Sequence, residues 1–379
     1  MREVVILGST GSIGRQALEI IEANPDKFRV IAITSAGTNP EQVIAQAKKF
    51  KVEYVGVVNN ANLISEALVN VKVIGGVFAS TEIAAIDCDV VLNGITGSIG
   101  LGPTLAAIDA GNTLALANKE SLVAAGELVM SKARPHQIIP VDSEHSAIWQ
   151  CALSGKRDEI RKLVLTASGG PFVDRSDLST VTVAEALNHP TWSMGAVVTI
   201  NSATLFNKGL EIIEAHHLFS IPYSAIEAVI HRQSFVHSMV EFVDGATIAQ
   251  ASPPNMRGAI AYALNFPHRL AGSTPAIDWK TPQSWSFEPI DTLKFPAVSL
   301  ARHCGEVGAS MPAVFNAANE IAVAAFISGA IPFTSIFALV EHVVGAVDGA
   351  SSLRDLADVS LVEDNARALA REHLLRLAP

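Results

Sequence analysis

Apolar residues in the first third of the chain alternate between short continuous runs and segments in which they recur at helical spacing. The runs predict strands, and the periodic segments between them predict helices. The predicted strands span 4–7, 28–34, 54–58, 89–92, 113–117 and 137–141, and the predicted helices span 16–22, 40–50, 103–110 and 121–132. Because strand and helix units of this length repeat, we predict a parallel sheet covered by helices on both faces.

The pattern changes near residue 146, where helical segments mix with strand-like runs and predict an α+β region; the runs span 161–166, 196–199, 228–230 and 238–242. Residues 266–295 are rich in Pro, Ser and Thr, which is typical of a linker. Beyond Pro296 the spacing is helical over 298–306, 311–327, 333–347 and 362–377, and it predicts a terminal bundle. The predicted domains are 1–145, 146–265, a linker at 266–291, and 292–379.

One uncharged segment, 321–340, is long enough to cross a bilayer. Ser328, Gly329 and Pro332 interrupt it, and Thr334 is placed to cap a new helix. The segment therefore predicts two buried helices and no membrane span.

Composition narrows the classes of protein to which the chain can belong. Of its 379 residues, 49% are hydrophobic and 17% charged, which excludes disorder. The net charge of -10 disfavours nucleic acid as a partner. The cysteines, Cys88, Cys151 and Cys304, are widely spaced and the N-terminus has no secretory signal pattern, so we predict a reducing, cytoplasmic location.

A glycine-rich loop, residues 8–14 (GSTGSIG), lies between the first predicted strand and the first helix. Missing side chains let the backbone approach a pyrophosphate, and the helix N-terminus attracts its charge. A tight turn without a ligand is the alternative. Residues 34–39 contain no carboxylate where NAD-binding sites place one, which favours NADP, with Ser35, Thr38 and Asn39 as polar contacts. A parallel sheet with a nucleotide-binding loop of this kind after its first strand would be Rossmann-like, which is the fold we predict for this domain.

Two carboxylates, Asp142 and Glu144, follow the strand predicted at 137–141. In extended chain they project to the same side, where their mutual repulsion requires a neutralising partner. Hard oxygen donors suit Mg²⁺ or Mn²⁺, although a solvated pair at a strand end is an equal alternative.

A predicted helix places Asn207, Lys208 and Glu211 on one face, after a helix start at 201–204 that contains Ser202. This face suits a phosphorylated, metal-bound substrate, whereas a Lys208 to Glu211 surface pair is the simpler interpretation. Other candidates have simple alternatives too. Residues 168–170 suit either a backbone nest that binds an anion or a plain turn. Residues 189–195 suit either a lid that closes over substrate or a structural His with a packed Trp. Lys119 suits either contact with a ligand oxygen or a helix-capping turn.

Eight segments in this order resemble one family, 1-deoxy-D-xylulose 5-phosphate reductoisomerase: GSTGSIG, LANKESL, PVDSEH, SGGPF, HPTWSMG, NSATLFNKGLE, HRQSFVHSM and NAANEIAVAAF. The resemblance implies an N-terminal Rossmann-like domain, a central α+β catalytic and dimerisation domain, and a C-terminal helical bundle. It also implies a homodimer that makes 2-C-methyl-D-erythritol 4-phosphate from a small phosphorylated sugar in the non-mevalonate isoprenoid pathway. The implied cofactors are NADPH and Mg²⁺, Mn²⁺ or Co²⁺. From the net charge and the interrupted segment at 321–340, we expect neither nucleic acid nor a membrane as a partner.

The resemblance implies the following roles. Residues at the cofactor are Thr10, Gly11, Ser12, Ile13, Gly37, Asn39, Asn118, Glu120 and Gly195. Metal ligands are Asp142, Glu144 and Glu211. Residues that contact substrate are Lys119, Ser143, Glu144, Ser168, His189, Ser202, Asn207, Lys208 and Glu211, with Trp192 and Met194 on the lid; of these, Lys119, Glu144, His189 and Glu211 are expected to be catalytic.

The sequence departs from the family pattern at Thr38, where some members have Lys, and at Arg232 and Asn255, where Pro and Asp are common. Two rival functions stay open at this point. One is an NADP-dependent dehydrogenase without rearrangement, and the other is a non-catalytic dinucleotide sensor.

Overall fold

The computed structural model describes residues 1–192, 194–347 and 349–377. These residues divide into two compact units. The first comprises residues 1–121, 129–146 and 255–275, and the second comprises the described residues of 122–128, 147–254 and 276–379. The domain boundaries inferred from the sequence stay a prediction.

The first unit is built on a parallel sheet. Its strands are β1 Arg2–Leu7, β2 Phe28–Ser35, β3 Tyr54–Val57, β4 Lys72–Gly75, β5 Val90–Asn93, β6 Thr113–Leu116 and β7 Ile138–Pro140. Within the described residues they form seven strands in the order β4-β3-β2-β1-β5-β6-β7, with every pairing parallel. Residues Val4 to Leu7 of β1 are fully buried, as expected for a strand covered on both faces. The Rossmann-like parallel sheet predicted from the sequence is confirmed.

The second unit contains a mixed sheet of β8 Ile160–Ala167, β9 Ile226–Ile230, β10 Val236–Phe242, β11 Thr247–Ala251 and β12 Glu288–Pro289. The order among the described residues is β11-β10-β8-β9-β12. The β8 and β9 pair is parallel and the other pairs are antiparallel. This arrangement confirms the predicted change to an α+β region.

Helices cover both sheets and form most of the C-terminal part of the chain. They are α1 Ser12–Glu22, α2 Pro40–Phe50, α3 Ala61–Ala67, α4 Ala79–Ala84, α5 Leu101–Asp109, α6 Glu120–Lys132, α7 Ser143–Ala152, α8 Val183–Ala186, α9 Ala196–Ala203, α10 Phe206–Phe219, α11 Arg257–Asn265, α12 Ala297–Val307, α13 Met311–Ile327, α14 Ser335–Ala346 and α15 Leu356–Leu377. In the described part of the chain, no helix combines the length and the apolar character that a membrane span requires. The segment at 321–340 contributes to α13 and α14, as predicted.

The core of the second unit lies between its sheet and its helices. Phe206 of α10 packs against Phe315 of α13 and Phe337 of α14, with ring centroids 5.3 and 5.9 Å apart. These rings are buried, so α10 is held by the apolar bundle on which it lies. The packing fixes the helix that carries Asn207, Lys208 and Glu211.

Two predictions of secondary structure between residues 196 and 204 are wrong. Residues 196–199 do not form a strand, because they are the start of α9, and 201–204 close α9 instead of starting a helix. The β-branched run at 197–199 favours a strand locally, but Thr199, Ile200 and Ala203 bury one face in the core cluster or beside it. Tertiary packing therefore overrides local propensity here.

Candidate active site

The glycine-rich loop connects β1 to α1 in a conformation that depends on its glycines. Gly8 has φ +79°, and a Cβ there would lie 2.9 Å from the carbonyl oxygen of Gly94. A Cβ on Gly14 would lie 2.4 Å from the carbonyl oxygen of Gly8. Gly11 precedes α1 as its N-cap, so the amides of Ser12 and Ile13 start the helix. Bare backbone at a helix N-terminus fits a dinucleotide pyrophosphate.

Polar but uncharged groups surround the end of β2. The hydroxyls of Thr10 and Ser35 are 3.0 Å apart. Gly37 has φ +74° and a Cβ there would lie 2.2 Å from the carbonyl oxygen of Asn59, so only glycine fits. Asn39 caps α2 by accepting a 3.1 Å hydrogen bond from the Gln42 amide. Thr10 of the glycine-rich loop therefore contacts the end of β2 through Ser35, and Gly37 and Asn39 follow that strand end in the same unit.

Asn118 and Glu120, which follow β6, shape the loop after β5. The Asn118 amide donates to the carbonyl oxygens of Ile95 at 2.7 Å and Gly97 at 2.8 Å. The Gly97 amide donates to Glu120 Oε1 at 3.1 Å. Both side chains therefore position backbone at the carboxyl edge of the sheet, and their direct contact with a cofactor stays a prediction.

Asp142 lies at the end of a strand, between a cation and an imidazole. Its carboxylate is 2.8 Å from Lys119 Nζ and 3.0 Å from His145 Nδ1. Burial alone would raise the pKa of Asp142, but the charge of Lys119 and the hydrogen bond from His145 hold that pKa well below its usual value. Asp142 is therefore an ionised oxygen donor of the kind that Mg²⁺ prefers.

The extended arrangement predicted for Asp142 and Glu144 is wrong, because Glu144 lies in the first turn of α7. Asp142 accepts a 3.1 Å hydrogen bond from the Glu144 amide. A carboxylate immediately before a helix satisfies amides that have no partner within the helix, and this favours the helical start. Ser143, between the two acids, donates a hydrogen bond from its hydroxyl to the Glu144 carboxylate.

In the second unit, α10 arranges Asn207, Lys208 and Glu211 as the helical spacing predicts. The Asn207 amide donates to the Glu211 carboxylate, and the Lys208 ammonium pairs with the same group. The side chains of Lys208 and Glu211 are only 3% and 1% exposed. The pair is therefore buried, which rules out the simpler interpretation of a surface ion pair.

Ser168, His189 and Ser202 meet in the second unit although the sequence separates them. His189 Nε2 lies 3.1 Å from the hydroxyl oxygen of Ser168 and 3.1 Å from that of Ser202. Gly170 has φ +67°, and a Cβ there would lie 2.9 Å from the carbonyl oxygen of Ser202. Three polar donors beside a left-handed glycine turn form a site suited to a phosphate.

His189 also holds the start of the predicted lid. Its Nδ1 accepts hydrogen bonds from the amides of Thr191 at 3.0 Å and Trp192 at 2.9 Å. A nitrogen that accepts these bonds carries no hydrogen, so the neutral ring has its hydrogen on Nε2, facing the two serines. Burial lowers the pKa of His189, which favours this neutral form.

The rest of the predicted lid contributes Trp192 and Gly195. The Trp192 ring lies with its centroid 6.2 Å from that of His237. Gly195 precedes α9 as its N-cap. Ser193 of this segment lies outside the described residues.

Sequence reasoning assigned no role to two positioning residues. His145 orients Asp142. The sequence feature that could have predicted this contact is the position of His145 three residues after Asp142, within one turn of a helix. Asn319 of α13 donates to Asn201 Oδ1 at 3.0 Å, beside Ser202. The sequence distance between Asn201 and Asn319 left no local signal for that contact.

Comparisons with known proteins agree along the chain. A family model described as 1-deoxy-D-xylulose 5-phosphate reductoisomerase matches residues 4–126. Models of the C-terminal domains of that enzyme match residues 138–219 and 251–369.

Curated relatives with the same name cover nearly the full length. The enzyme from Streptomyces avermitilis is 52% identical over 99% of this chain and 98% of its own. The enzyme from Kitasatospora griseola is 53% identical over 97% of this chain and 99% of its own.

Solved structures of such enzymes are similar too. The Zymomonas mobilis enzyme in complex with NADPH has a TM-score of 0.92 and 41% identity, and covers 98% of this chain and 99% of its own. A complex of DOX-P reductoisomerase with NADPH, fosmidomycin and magnesium has a TM-score of 0.93 and 37% identity, and covers 100% of this chain and 99% of its own.

Proposed function

The chain belongs to the 1-deoxy-D-xylulose 5-phosphate reductoisomerase family, and on that premise we propose how its residues carry out the reaction. The enzyme is an NADP-dependent oxidoreductase of isoprenoid biosynthesis that converts 1-deoxy-D-xylulose 5-phosphate to 2-C-methyl-D-erythritol 4-phosphate with NADPH and Mg²⁺. When bound, the cation polarises the oxygens of the ketose and NADPH supplies the hydride.

Asp142, Glu144 and Glu211 are the proposed ligands of the cation. We propose that the same ligands also bind Mn²⁺ or Co²⁺. The observation that carries this proposal is the geometry around Asp142, whose carboxylate lies 2.8 Å from Lys119 Nζ and accepts a 3.1 Å hydrogen bond from the amide of Glu144, so that two of the proposed ligands are held together. His145 fixes one oxygen of Asp142, and Lys119 neutralises the other until substrate oxygens are present. Lys119 is then the proposed donor to a substrate oxygen.

The phosphate group of the substrate is proposed to bind Ser168, Ser202, Asn207, Lys208 and the Nε2 hydrogen of His189. The convergence of Ser168 and Ser202 on His189 supports this assignment. The buried Lys208 ammonium supplies a positive charge that solvent screens little. Ser143 is proposed to contact the substrate. Trp192 and Met194, on the lid, are proposed to exclude water from the bound substrate.

NADPH is proposed to bind Thr10, Gly11, Ser12 and Ile13 with its pyrophosphate and Gly37 and Asn39 with its adenosine end. Asn118, Glu120 and Gly195 complete the proposed set. Gly8 and Gly14 permit the tight turn that places bare backbone before the N-terminus of α1, and this arrangement supports the proposed pyrophosphate site.

The broader organisation is also a proposal. Residues 1–145 would form the NADPH-binding domain, 146–265 the catalytic and dimerisation domain, 266–291 a linker, and 292–379 the C-terminal helical domain. A homodimer is supported by β11, an edge strand whose Ile248 side chain is exposed. A cytoplasmic location is supported by the free thiols of Cys88, Cys151 and Cys304.

The test is NADPH oxidation with 1-deoxy-D-xylulose 5-phosphate in metal-free buffer, with added Mg²⁺ or with EDTA. We expect turnover with Mg²⁺ and its loss in EDTA, restored by excess Mg²⁺. Reduction that survives EDTA would instead indicate an NADP-dependent dehydrogenase without rearrangement, and the absence of any turnover would favour a dinucleotide sensor.

A further inference from the structure

Arg232 leaves the sheet beside the first serine of the proposed phosphate site. Ile230, the last residue of β9, pairs with Ala167, the last residue of β8. The His231 amide then donates to the Ala167 carbonyl at 2.7 Å. Ser168 and Arg232 thus follow the two paired strand ends, so a constraint on Arg232 acts close to Ser168.

The guanidinium of Arg232 joins two carboxylates through paired hydrogen bonds. It donates to the two oxygens of Asp174 at 2.6 and 3.0 Å and to the two oxygens of Glu288 at 3.0 and 3.1 Å. Hydrogen bonds from Arg232 lower the pKa of Asp174 and of Glu288. Two bidentate contacts orient a guanidinium far better than a single exposed ion pair does.

Glu288 is itself fixed, and Asp174 ends the loop that begins at Ser168. Glu288 lies in β12 and pairs with Ile230. Asp174 therefore connects through Arg232 to a residue held by the sheet. The loop 168–174 is closed at one end by the strand pairing of Ala167 and at the other by this arginine.

The interior of the same loop is tightly packed. The Val173 side chain is so close to Gly169 that a Cβ there would lie 2.3 Å from it. Lys294 Nζ donates to the Val173 carbonyl at 2.7 Å, and the Phe172 ring packs at 5.2 Å from that of Phe333. A shift of Asp174 would therefore be transmitted through Val173 to the turn at Gly169.

We propose that Arg232 is a positioning residue for the phosphate end of the substrate. By holding Asp174 against Glu288, it keeps the loop 168–174 closed and so keeps Ser168 in the geometry that binds phosphate. This inference rests on the proposed phosphate site. It assigns a role to one of the residues at which the sequence departs from the family pattern.

The test compares full-length Arg232→Gln with wild type by steady-state kinetics and by competitive inhibition with inorganic phosphate. We expect the KM for 1-deoxy-D-xylulose 5-phosphate and the Ki for phosphate each to rise about fivefold, the size of change that follows from loosening a charged loop contact. The Kd for NADPH should stay unchanged. Asp174→Asn breaks the same contact from its other end and should act in the same direction.

Two variants separate positioning from general loss of structure. Arg232→Lys retains one ion pair and should recover part of the phosphate affinity. Arg161→Gln removes an exposed 3.3 Å pair with Glu241 at the opposite end of β8 and should change neither constant. Unchanged KM and Ki in Arg232→Gln, or equal changes in Arg161→Gln, would overturn the role of Arg232.

The proposed phosphate site has its own test in Ser168→Ala, which should raise the Ki for phosphate directly. If phosphate does not compete with substrate in the wild type, or if Ser168→Ala leaves its Ki unchanged, the phosphate site itself is wrong and the role of Arg232 falls with it. A change in Ser168→Ala without one in Arg232→Gln overturns only the role of Arg232.

Discussion

At the scale of single residues, His189 serves two neighbours with opposite nitrogens. Nδ1 accepts from two backbone amides, whereas the Nε2 hydrogen faces Ser168 and Ser202. Protonation would place a second hydrogen where the amides of Thr191 and Trp192 already point. The neutral ring is therefore the form that holds the start of the lid and the phosphate donors together.

This arrangement predicts an acid limb in the pH profile. Burial lowers the pKa of His189 below the ordinary 6.5, so the folded protein keeps the ring neutral while the unfolded chain takes up a proton. Stability should fall as the pH decreases from 6.5, and kcat/KM should fall as the pH passes through the lower pKa. His189→Gln cannot titrate, so its acid limb should be flatter. Because the variant also removes the Nε2 hydrogen proposed to bind phosphate, its kcat/KM should be lower by about tenfold or more. An identical acid limb in both proteins would assign it to another group.

Glu211 is the residue whose loss should be most severe. Glu211→Gln removes a proposed ligand charge and leaves the buried Lys208 ammonium beside a neutral amide. We expect turnover to drop by at least about 100-fold, more than for groups that only orient a ligand. The Kd for NADPH, measured by fluorescence titration, should not change.

The control for Glu211 is Glu227→Gln, which removes an exposed carboxylate from β9 near Lys162 and should leave activity intact. Near wild-type turnover in Glu211→Gln would remove Glu211 from the metal site.

At the scale of elements, the turn from β1 to α1 depends on missing side chains. Gly14→Ala would place a methyl group 2.4 Å from the Gly8 carbonyl oxygen and 2.6 Å from Ser9 Cα, both backbone atoms that cannot rotate away. We expect the Kd for NADPH to rise about tenfold or more, together with a lower melting temperature.

Gly345→Ala provides the matched control for that turn. A Cβ at this position in α14 meets nothing within 4 Å, and alanine favours a helix by up to about 1 kcal/mol. The variant should bind NADPH normally and melt no lower than wild type. Equal NADPH affinity in Gly14→Ala and Gly345→Ala would contradict the proposed cofactor loop.

Sequence patterns located elements best where local chemistry and packing agree. The bounds predicted for α2 and α13 match the observed helices, both of which have proline in their first turn. The strand predicted at 196–199 is wrong because a run of β-branched residues can also lie on the buried face of a helix. The apolar pattern also missed the short elements α3, β4 and α4; β4 has no fully buried residue, and α3 and α4 are too short to show a clear helical period. At Asp142 and Glu144, residue identity was informative but the spacing did not distinguish an extended chain from a capped helix.

At the scale of the whole molecule, long-range packing decided what the pattern left open. Spacing placed Lys208 beside Glu211, but only the packing of α10 shows that the pair is buried. Likewise, Ser168, His189 and Ser202 meet because β8, the lid segment and α9 converge in one unit. No local pattern encodes such a meeting, which is why motif resemblance identified these residues before geometry did.

The remote phosphate group of the substrate should contribute to turnover as well as to binding. It takes part in no bond that is made or broken, so its binding energy can promote turnover only by ordering the loop at 168–170 and the lid around the reacting carbons. The unphosphorylated sugar, 1-deoxy-D-xylulose, should therefore lose at least about tenfold in kcat as well as affinity. NADPH oxidation at saturating concentrations of each sugar measures the difference, and the Kd for NADPH without sugar confirms that the same enzyme is compared. Equal kcat values with a higher KM alone would show that phosphate contributes to binding but does not organise the site.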